Sequence, residues 1–494
     1  MSSFAENVFK LLTGNAVAHG LVLIVTPILT RLFAPDAFGV AALFASIASI
    51  LGAVSCLRYE LAIMLPKDDG EAANLLSVSI CLVSIVSMIT AFIIYLSDDV
   101  ILHMLNFPQL KSYLWLIPLA VFATGITLPF RYWQSRNRKF GRISIAQILS
   151  SGTSQTSKLI AGVSGYVTGG AIIWGNLLGL MIQSAFLGGR IWQDDRHLFR
   201  SSVRWERMIA SMRQHKRFPI FSTWSVLLNT ASTHLPAVIL AVYFSPTVVG
   251  FFALGGAALS LPLSLLGRSV AEVFYQKASD VNNHSGDLAK VVEAVFIRLT
   301  AFGMFPILML MVIGKDLFIV VFGAPWAEAG TYVQILAIWI FFQFISSPIS
   351  MLFSVLEKQR FGLIFNLLLF ATRFGSIILG GMTGNIKLTL LLFANTGAAC
   401  YCILSLWLLS QAGYPVNRAV SQWVKYGLYS CPLLMIILLA KWRLGIHGVT
   451  VLLLGLCCLI IYYLYVISTD KELKIFVMAH LHRRHGVSRK RQGS

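Results

Sequence analysis

Charged residues are scarce in this sequence of 494 residues. Only 12% of them are charged, about half the share of an ordinary soluble domain, whereas 57% are hydrophobic. Apolar runs of about 20 residues, each long enough to cross the hydrocarbon core of a bilayer, recur from end to end. A sizeable soluble domain is thereby excluded, and the pattern predicts an all-α polytopic membrane protein.

Acidic residues are especially few: the chain has 20 of them against 39 lysines and arginines. None falls in the middle of an apolar run. An exporter of cations or drugs that is driven by protons or sodium usually needs a buried carboxylate. The sequence therefore favours an anionic passenger, because phosphate oxygens bind well to arginine and lysine.

The sequence also lacks the signatures of an enzyme or a metal site. Its seven cysteines lie in or beside apolar runs without a metal-ligand spacing, which predicts a packing role. It contains neither GxxxxGKS/T nor HExxH, and the outer loops are too short for a catalytic domain. We therefore expect no enzymatic activity, no cofactor, no metal and no removable signal peptide in the opening MSSFAENVFKLL.

The apolar runs predict about fourteen membrane spans. They lie near 11–31, 38–57, 75–97, 112–130, 143–164, 168–188, 218–241, 249–271, 293–313, 331–354, 362–381, 387–410, 424–440 and 447–467. With a cytoplasmic N-terminus, 29 of the 39 lysines and arginines fall on the inner side and 6 on the outer side. This bias predicts a multi-pass protein of the bacterial inner membrane with both termini in the cytoplasm. The same bias explains the surplus of basic residues, so binding to nucleic acid is not needed to explain it. These residues can contact anionic membrane lipids.

Three landmarks recur in the same order in the two halves of the chain. The motif F-x-P-x-x-x-G occurs at 33–39 and 244–250, and an arginine follows each copy, Arg58 or Arg268. The third landmark is a Phe-Gly pair after a basic residue, at 140–141 and again at 361–362. Six spans separate the copies, so the halves run in the same direction, as parallel repeats do. We predict two pseudo-symmetric lobes: an N-terminal six-helix lobe (1–190), a basic cytoplasmic linker (191–217), a C-terminal six-helix lobe (218–411), an extra helix pair (412–467) and a basic cytoplasmic tail (468–494).

A polar stripe with a lysine runs along the predicted fifth span. Its members fall within an arc of about 100° on a helix: Ser144, Gln147, Ser151, Ser154, Gln155 and Lys158. A charge at this depth is normally tolerated only when it faces a bundle interior or a wet cavity. Polar faces on the first, seventh and eleventh spans predict the same cavity. The candidate substrate-binding residues are Lys158, Arg373, Gln155, Gln147, Asn15, His19, Asn229 and Asn366. For the uncharged members, the alternative is that they join helices by hydrogen bonds.

Pairs of opposite charge lie at the predicted mouths of the two lobes. Arg31 and Asp36 flank the outer turn of the first lobe, and Arg58 and Glu60 lie at its inner end. The matching inner place in the second lobe holds Arg268 and Glu272. We predict that these pairs are gates. The alternative is interfacial snorkelling or a structural salt bridge.

The segments TRLFAPDAFGVAALF and LRYELAIMLPKDDGEAANLL, with the Phe-Gly pairs after RNRK and EKQR, resemble those of Wzx-type flippases. These are the O-antigen and exopolysaccharide repeat-unit flippases of the multidrug/oligosaccharidyl-lipid/polysaccharide superfamily. The matching positions are Arg31, Pro35, Gly39, Arg58, Tyr59, Glu60 and Pro66.

The resemblance implies a V-shaped inner-membrane protein with a cationic central cavity. Such a protein translocates an undecaprenyl-pyrophosphate-linked oligosaccharide to the periplasmic leaflet by alternating access, and a polysaccharide polymerase or export machinery is then a partner. Two alternatives within the same superfamily are a lipid II flippase and a multidrug or metabolite antiporter. A membrane glycosyltransferase or polymerase would instead need a large outer loop and acidic catalytic residues, which the sequence lacks.

Overall fold

The computed structural model describes residues 2–105, 107–262, 268–283 and 286–469, and within these ranges the chain contains helices and no strand. The helices are α1 Ser2–Leu32, α2 Pro35–Val54, α3 Tyr59–Ala62, α4 Asp69–Leu105, α5 Ile117–Arg136, α6 Phe140–Val163, α7 Gly169–Ser202, α8 Trp205–Gln214, α9 Thr223–Tyr243, α10 Pro246–Pro262, α11 Arg268–Asn283, α12 Leu288–Phe322, α13 Ala327–Ile349, α14 Leu352–Val355, α15 Gln359–Met382, α16 Ile386–Gln411, α17 Val416–Arg443 and α18 Val449–Thr469. The predicted cytoplasmic tail (468–494) lies outside the described residues from position 470 onward.

Twelve spans in the described part of the chain are long and apolar enough to cross a membrane. The predicted all-α membrane fold is confirmed, but the number fourteen is not. The predicted fifth span corresponds to α6, whose polar stripe makes it less apolar than the twelve. The predicted eighth span corresponds to α10, described as a shorter apolar helix at Pro246–Ser260, and part of it lies outside the described residues.

The sequence explains where α2 begins. Pro35 occupies the first helical turn, where its missing N–H costs nothing, and it holds the preceding Ala34 in an extended conformation. The Asp36 carboxylate accepts a hydrogen bond from the Ala37 N–H (2.9 Å) and places negative charge at the positive end of the helix. The turn between α1 and α2 is therefore short and fixed. Following the predicted topology, we call this end of the helices the outer end and the opposite end the inner end.

The chain forms two compact units. Of the described residues, those within 1–255, 321–329 and 370–392 form the first unit, and those within 256–320, 330–369 and 393–494 form the second. In the first unit, α6 packs against α1 and α7, and α2 packs against α5, α7 and α9. Its inner end has an apolar core that contains Tyr59, Ile63, Trp133 and Met208. The lobe boundaries stay a prediction.

The second unit has a continuous apolar core to which the last two helices contribute. Tyr462 of α18 stacks on Phe305 of α12 with ring centroids 5.0 Å apart, and its hydroxyl donates to the Ala301 carbonyl (2.8 Å). The predicted extra helix pair therefore packs into this unit along one of its longest helices.

A buried ion pair also attaches the extra helix pair to α12. Lys441 Nζ lies 2.6 Å from the Asp316 carboxylate and 3.2 Å from the Val312 carbonyl, and the Gly448 N–H donates to Asp316 (3.4 Å). Asp316 is buried, so removing Lys441 leaves a carboxylate without its counter-charge.

We expect Lys441→Met to reduce the free energy of unfolding by about 1–3 kcal/mol, because a buried charged group loses its partner. Thermal unfolding of the purified protein in detergent measures the change. The matched control is Lys290→Met, which breaks the exposed pair of Lys290 with Asp287 and should leave the melting temperature unchanged. Equal effects of the two substitutions would contradict the structural role of the buried pair.

Candidate functional site

The polar stripe of α6 faces the protein and not the lipid. Ser154, Gln155 and Lys158 are buried, whereas Ile145 and Ile160 on the opposite side of the helix are exposed. A bilayer requires an apolar surface on the lipid side, and α6 meets that requirement only with its stripe turned inward. The stripe lies where α6 packs against α1 and α7.

Lys158 is 7% exposed, and its aliphatic chain packs against α7 at Gly175. A Cβ atom at position 175 would lie 2.7 Å from the Lys158 Cγ, so glycine is needed there to admit the lysine. Among the described residues, no carboxylate pairs with the Lys158 ammonium group within 4.0 Å. A cation at this depth is costly without a counter-charge, so the role of Lys158 as a binding group for an anion stays a prediction.

The uncharged members of the stripe divide into two kinds. Ser154 donates a hydrogen bond to Asn176 Oδ1 on α7 (3.1 Å), so this serine joins the two helices. The buried carbonyl oxygen of Gln155 has no hydrogen-bond partner in the described part of the chain, and Gln147 is half-buried. Gln155 is thus the stripe residue whose acceptor is open to a ligand or to water.

Helix α1 has a polar and an apolar side, both at least partly accessible. His19 is exposed, Asn15 and Thr26 are half-buried, and by helical periodicity they lie about 180° from the exposed Ile24 and Ile28. The apolar side is suited to acyl chains. The polar side needs water or polar partners, because unmade hydrogen bonds are costly in hydrocarbon.

Side chains of α9 are exposed in its inner half and buried in its outer half. In its inner half Ser225, Asn229 and Thr233 are exposed and share one face, while Leu240 and Ala241 in its outer half are buried. The polar face of this helix is therefore accessible only toward the inner end.

Helix α15 carries the other predicted cation. Arg373 is 9% exposed, and its carbonyl accepts a hydrogen bond from the Ser376 hydroxyl (2.9 Å). Asn366, two turns earlier on the same helix, is exposed. Like Lys158, Arg373 belongs to the first unit.

The two F-x-P-x-x-x-G motifs touch each other in the first unit. A Cβ atom on Gly39 would lie 1.8 Å from the Pro246 carbonyl oxygen, and one on Gly250 would lie 1.9 Å from that of Pro35. The contact is reciprocal: the glycine of each motif receives the proline of the other. Only glycine permits α2 and α10 to meet backbone to backbone at their outer ends.

Trp326 closes this contact from outside. Its side chain is 0% exposed, and its indole N–H donates to the Thr30 carbonyl (2.9 Å) in the last turn of α1, where helical carbonyls lack internal partners. Its ring lies edge-to-face on Phe38 (5.0 Å), inside the first motif, and on Phe251 (6.0 Å), directly after the second. We call the contact of Gly39, Gly250 and Trp326 the outer closure.

The predicted gates are placed as follows. Arg31 is exposed and donates to the Pro27 carbonyl (3.0 Å), and Asp36 contacts the Ala37 N–H at the start of α2. Arg58 and Glu60 form an ion pair (3.1 Å) at the inner end. The side chains of the third pair, Arg268 and Glu272, lie outside the described residues. Gating by these residues stays a prediction.

The burial of Glu60 does not follow from the sequence. Its side chain is 0% exposed, and burial raises the pKa of its carboxyl, while the Arg58 guanidinium opposes that shift. Arg58 has a left-handed backbone (φ +65°), which an arginine adopts only where surrounding contacts hold it. No sequence pattern identifies Trp326 or Asn176 as residues of the site. For Asn176 the flanking Gly175 and Gly179, four residues apart, were an available signal of close helix contact.

Residues 28–331 match a family of sequences described as polysaccharide biosynthesis proteins. The lipopolysaccharide biosynthesis protein WzxC of Escherichia coli K12 is 24% identical over 307 residues, which are 60% of this chain and 59% of that protein. The match thus spans less than two thirds of the length of that relative.

The lipid II flippase MurJ, in an inward closed conformation, superposes with a TM-score of 0.72 at 14% identity, over 92% of this chain and 98% of that chain. An inward-facing multidrug resistance transporter of the MATE family superposes with a TM-score of 0.57 at 15% identity, over 81% and 94%. At these identities the likeness concerns the fold alone.

Proposed function

The chain belongs to the polysaccharide biosynthesis protein family, and from this premise we propose that it is a flippase for lipid-linked oligosaccharides. In this proposal it moves undecaprenyl-pyrophosphate-linked repeat units across the inner membrane by alternating access, for the synthesis of a surface polysaccharide. No bond is made or broken, which agrees with the transporter fold of its structural relatives.

The observation that carries the proposal is Lys158. It is a cation buried in the first unit, on a polar stripe, and no described carboxylate neutralises it. A diphosphate supplies the missing negative charge and accepts charge-assisted hydrogen bonds. Arg373 adds a second buried cation, and the accessible polar side chains of α1 and α9 supply donors and acceptors for sugar hydroxyl groups. The isoprenoid tail stays in the lipid, where it needs no polar partner.

The outer closure supports transport by alternating access. Within the first unit, the outer ends of α1, α2, α9 and α10 are packed tightly, whereas the polar faces of α1 and α9 are accessible in their inner halves. A head group entering from the inner side would meet these faces and stop at the outer closure. Release to the outer side then requires that Trp326 leave Thr30.

We expect Trp326→Ala to shift the protein toward its outward-open state. The substitution removes a buried hydrogen bond and two aromatic contacts, together about 2 kcal/mol, which corresponds to roughly a thirtyfold change in the ratio of states. A cysteine introduced at Thr26 in a cysteine-free protein reports this shift through its rate of labelling by a membrane-impermeant maleimide added outside. Labelling should become at least about tenfold faster.

The control for this measurement is Trp442→Ala, which removes an exposed tryptophan from the outer end of α17. Trp326→Phe, which loses the N–H and keeps an aromatic ring, should lie between wild type and Trp326→Ala. If Trp326→Ala and Trp326→Phe are labelled at the same rate as the wild-type protein and the control, Trp326 has no role in closure.

Deletion of the gene in its natural host tests the function itself. The proposal predicts that a diphosphate-linked oligosaccharide accumulates on the cytoplasmic side and that surface polysaccharide is lost, with restoration by the wild-type gene. Accumulation of lipid II with arrest of wall synthesis would indicate a lipid II flippase instead. An unchanged surface polysaccharide without any accumulated intermediate would exclude the proposal.

A multidrug antiporter is the second candidate, because Glu60 is a buried carboxylate of the kind that such proteins use. Its pairing with Arg58 at the inner end favours a structural role. Export of a cationic dye that is lost in Glu60→Gln would favour the antiporter, whereas the flippase proposal predicts no dye export by the wild-type protein.

A further inference from the structure

Residues 190–217 form a folded surface on the first unit, although the sequence predicts a linker for most of them. Helix α7 continues to Ser202, and α8 follows after a two-residue turn. The Asn74 side chain holds that turn from both sides, since it donates to the Ser202 carbonyl (3.0 Å) and accepts from the Arg204 N–H (3.2 Å). The Tyr59 hydroxyl donates to the Met212 carbonyl (3.0 Å) near the end of α8. The backbone that carries this surface is therefore fixed.

This surface carries a large uncompensated positive charge. Its eight basic side chains are all exposed: Arg190, Arg196, Arg200, Arg204, Arg207, Arg213, Lys216 and Arg217. None of them pairs within 4.0 Å with a carboxylate of the described residues.

The acidic residues of the same segment are mostly engaged elsewhere. Asp194 lies 2.5 Å from both Lys139 and Arg142, and Asp195 accepts a hydrogen bond from the indole of Trp133 (2.8 Å). Two of the three acidic side chains in residues 190–217 therefore point toward the α5–α6 region. Only Glu206 remains to offset the eight cations. The positive charge of the segment is thus presented outward.

Exposed tryptophans accompany the cations. Trp192 is 53% exposed, Trp205 is 70% exposed, and the Arg200 guanidinium lies 5.8 Å from the centre of the Trp192 ring. On the inward side of α8, Met208 and Ser211 are buried, so the helix is fixed by one face and open on the other. Tryptophan beside arginine is typical of protein surfaces at the level of lipid head groups.

We propose that residues 190–217 form a docking surface for acidic phospholipids of the cytoplasmic leaflet. The surface lies between two membrane-spanning segments, α7 and α9, so it is at the height of the head groups. Phosphate esters supply the negative charge that the described chain lacks there, and the tryptophans insert beside them. This inference does not depend on the identity of the passenger. It assigns a lipid-binding surface to the protein.

The test uses the purified full chain in phosphatidylcholine nanodiscs with increasing phosphatidylglycerol, and native mass spectrometry counts the retained phosphatidylglycerol. The variant R207Q/R213Q/K216Q removes three charges from the surface. The matched control R360Q/R418Q/K277Q removes two arginines and one lysine from exposed inner positions elsewhere. Each basic residue near an anionic surface contributes roughly a fivefold preference. We therefore expect at least a tenfold loss of retained phosphatidylglycerol in the first variant and a smaller loss in the control, whose three cations lie on three different helices.

A second measurement does not need a change of charge. Brominated phosphatidylglycerol should quench part of the tryptophan fluorescence of the wild-type protein, and 0.5 M salt should weaken this quenching. In W192F/W205F the phosphatidylglycerol-specific quenching should fall. Equal losses in both charge variants, equal retention of phosphatidylcholine and phosphatidylglycerol by wild type, or quenching unaffected by W192F/W205F would overturn the proposal.

Discussion

Lys158→Met is expected to reduce export of the lipid-linked oligosaccharide at least tenfold while leaving expression and membrane insertion unchanged. Methionine preserves the unbranched chain that packs against Gly175 and removes only the charge. A hydrogen bond between a cation and a phosphate contributes about 1.5–3 kcal/mol, or roughly tenfold to a hundredfold in binding. The measurement is the amount of surface polysaccharide in the deletion strain carrying each variant at matched protein levels.

Two further variants separate binding from packing in this experiment. Lys315→Met removes a lysine that is exposed at the outer end of α12, and it should export like wild type. Lys158→Arg keeps a positive charge and should retain part of the activity. Wild-type export by Lys158→Met would show that Lys158 does not bind the passenger, and the site would have to be sought elsewhere in the first unit.

Gly39→Ala is the second substitution with a large expected effect, although it adds only one methyl group. That group would lie 1.8 Å from the Pro246 carbonyl oxygen, so α2 and α10 would have to separate. Overpacking of this kind costs about 1–3 kcal/mol. We expect a lower melting temperature of the purified protein, faster outside labelling of the cysteine at Thr26, and reduced export.

The control is Gly20→Ala in α1, where the added methyl group would have no described atom within 4 Å apart from the neighbouring backbone of its own helix. This change should be neutral or slightly stabilising, because alanine favours the helix more than glycine does. Gly250→Ala should reproduce Gly39→Ala, since its methyl group would lie 1.9 Å from the Pro35 carbonyl oxygen. If Gly39→Ala and Gly20→Ala have the same melting temperature, the outer closure does not require a glycine contact.

The sequence predicts the parts of this molecule that depend on local pattern. Apolar runs of bilayer length predict the helices. In the structure, the proline of each F-x-P-x-x-x-G motif begins a helix, α2 at Pro35 and α10 at Pro246. The stripe on α6 follows from a periodicity of 3.6 residues and the cost of a charge in lipid. The same stripe lowers the hydropathy of α6, which accounts for one of the two spans by which the prediction of fourteen exceeds the twelve that length and composition support; the other is α10, whose described apolar part is shorter.

Tertiary contacts account for most of what the sequence does not predict. The two motifs are recognisable as copies, but their mutual contact depends on how α2 and α10 pack. Trp326 is distant in sequence from both motifs, and its role depends on a hydrogen bond to the Thr30 carbonyl at the end of α1. Glu60 is polar and lies next to a loop, so its complete burial follows only from the core around Tyr59 and Trp133.

Translocation by the purified protein in proteoliposomes tests the central claim most directly. A polyprenyl-diphosphate oligosaccharide is placed in both leaflets, and the fraction that a membrane-impermeant glycosidase can cleave is followed with time. The account predicts that wild-type protein makes nearly all of the lipid cleavable, that Lys158→Met slows this at least tenfold, and that Lys315→Met does not. A cleavable fraction that stays at about half with correctly folded wild-type protein would contradict it.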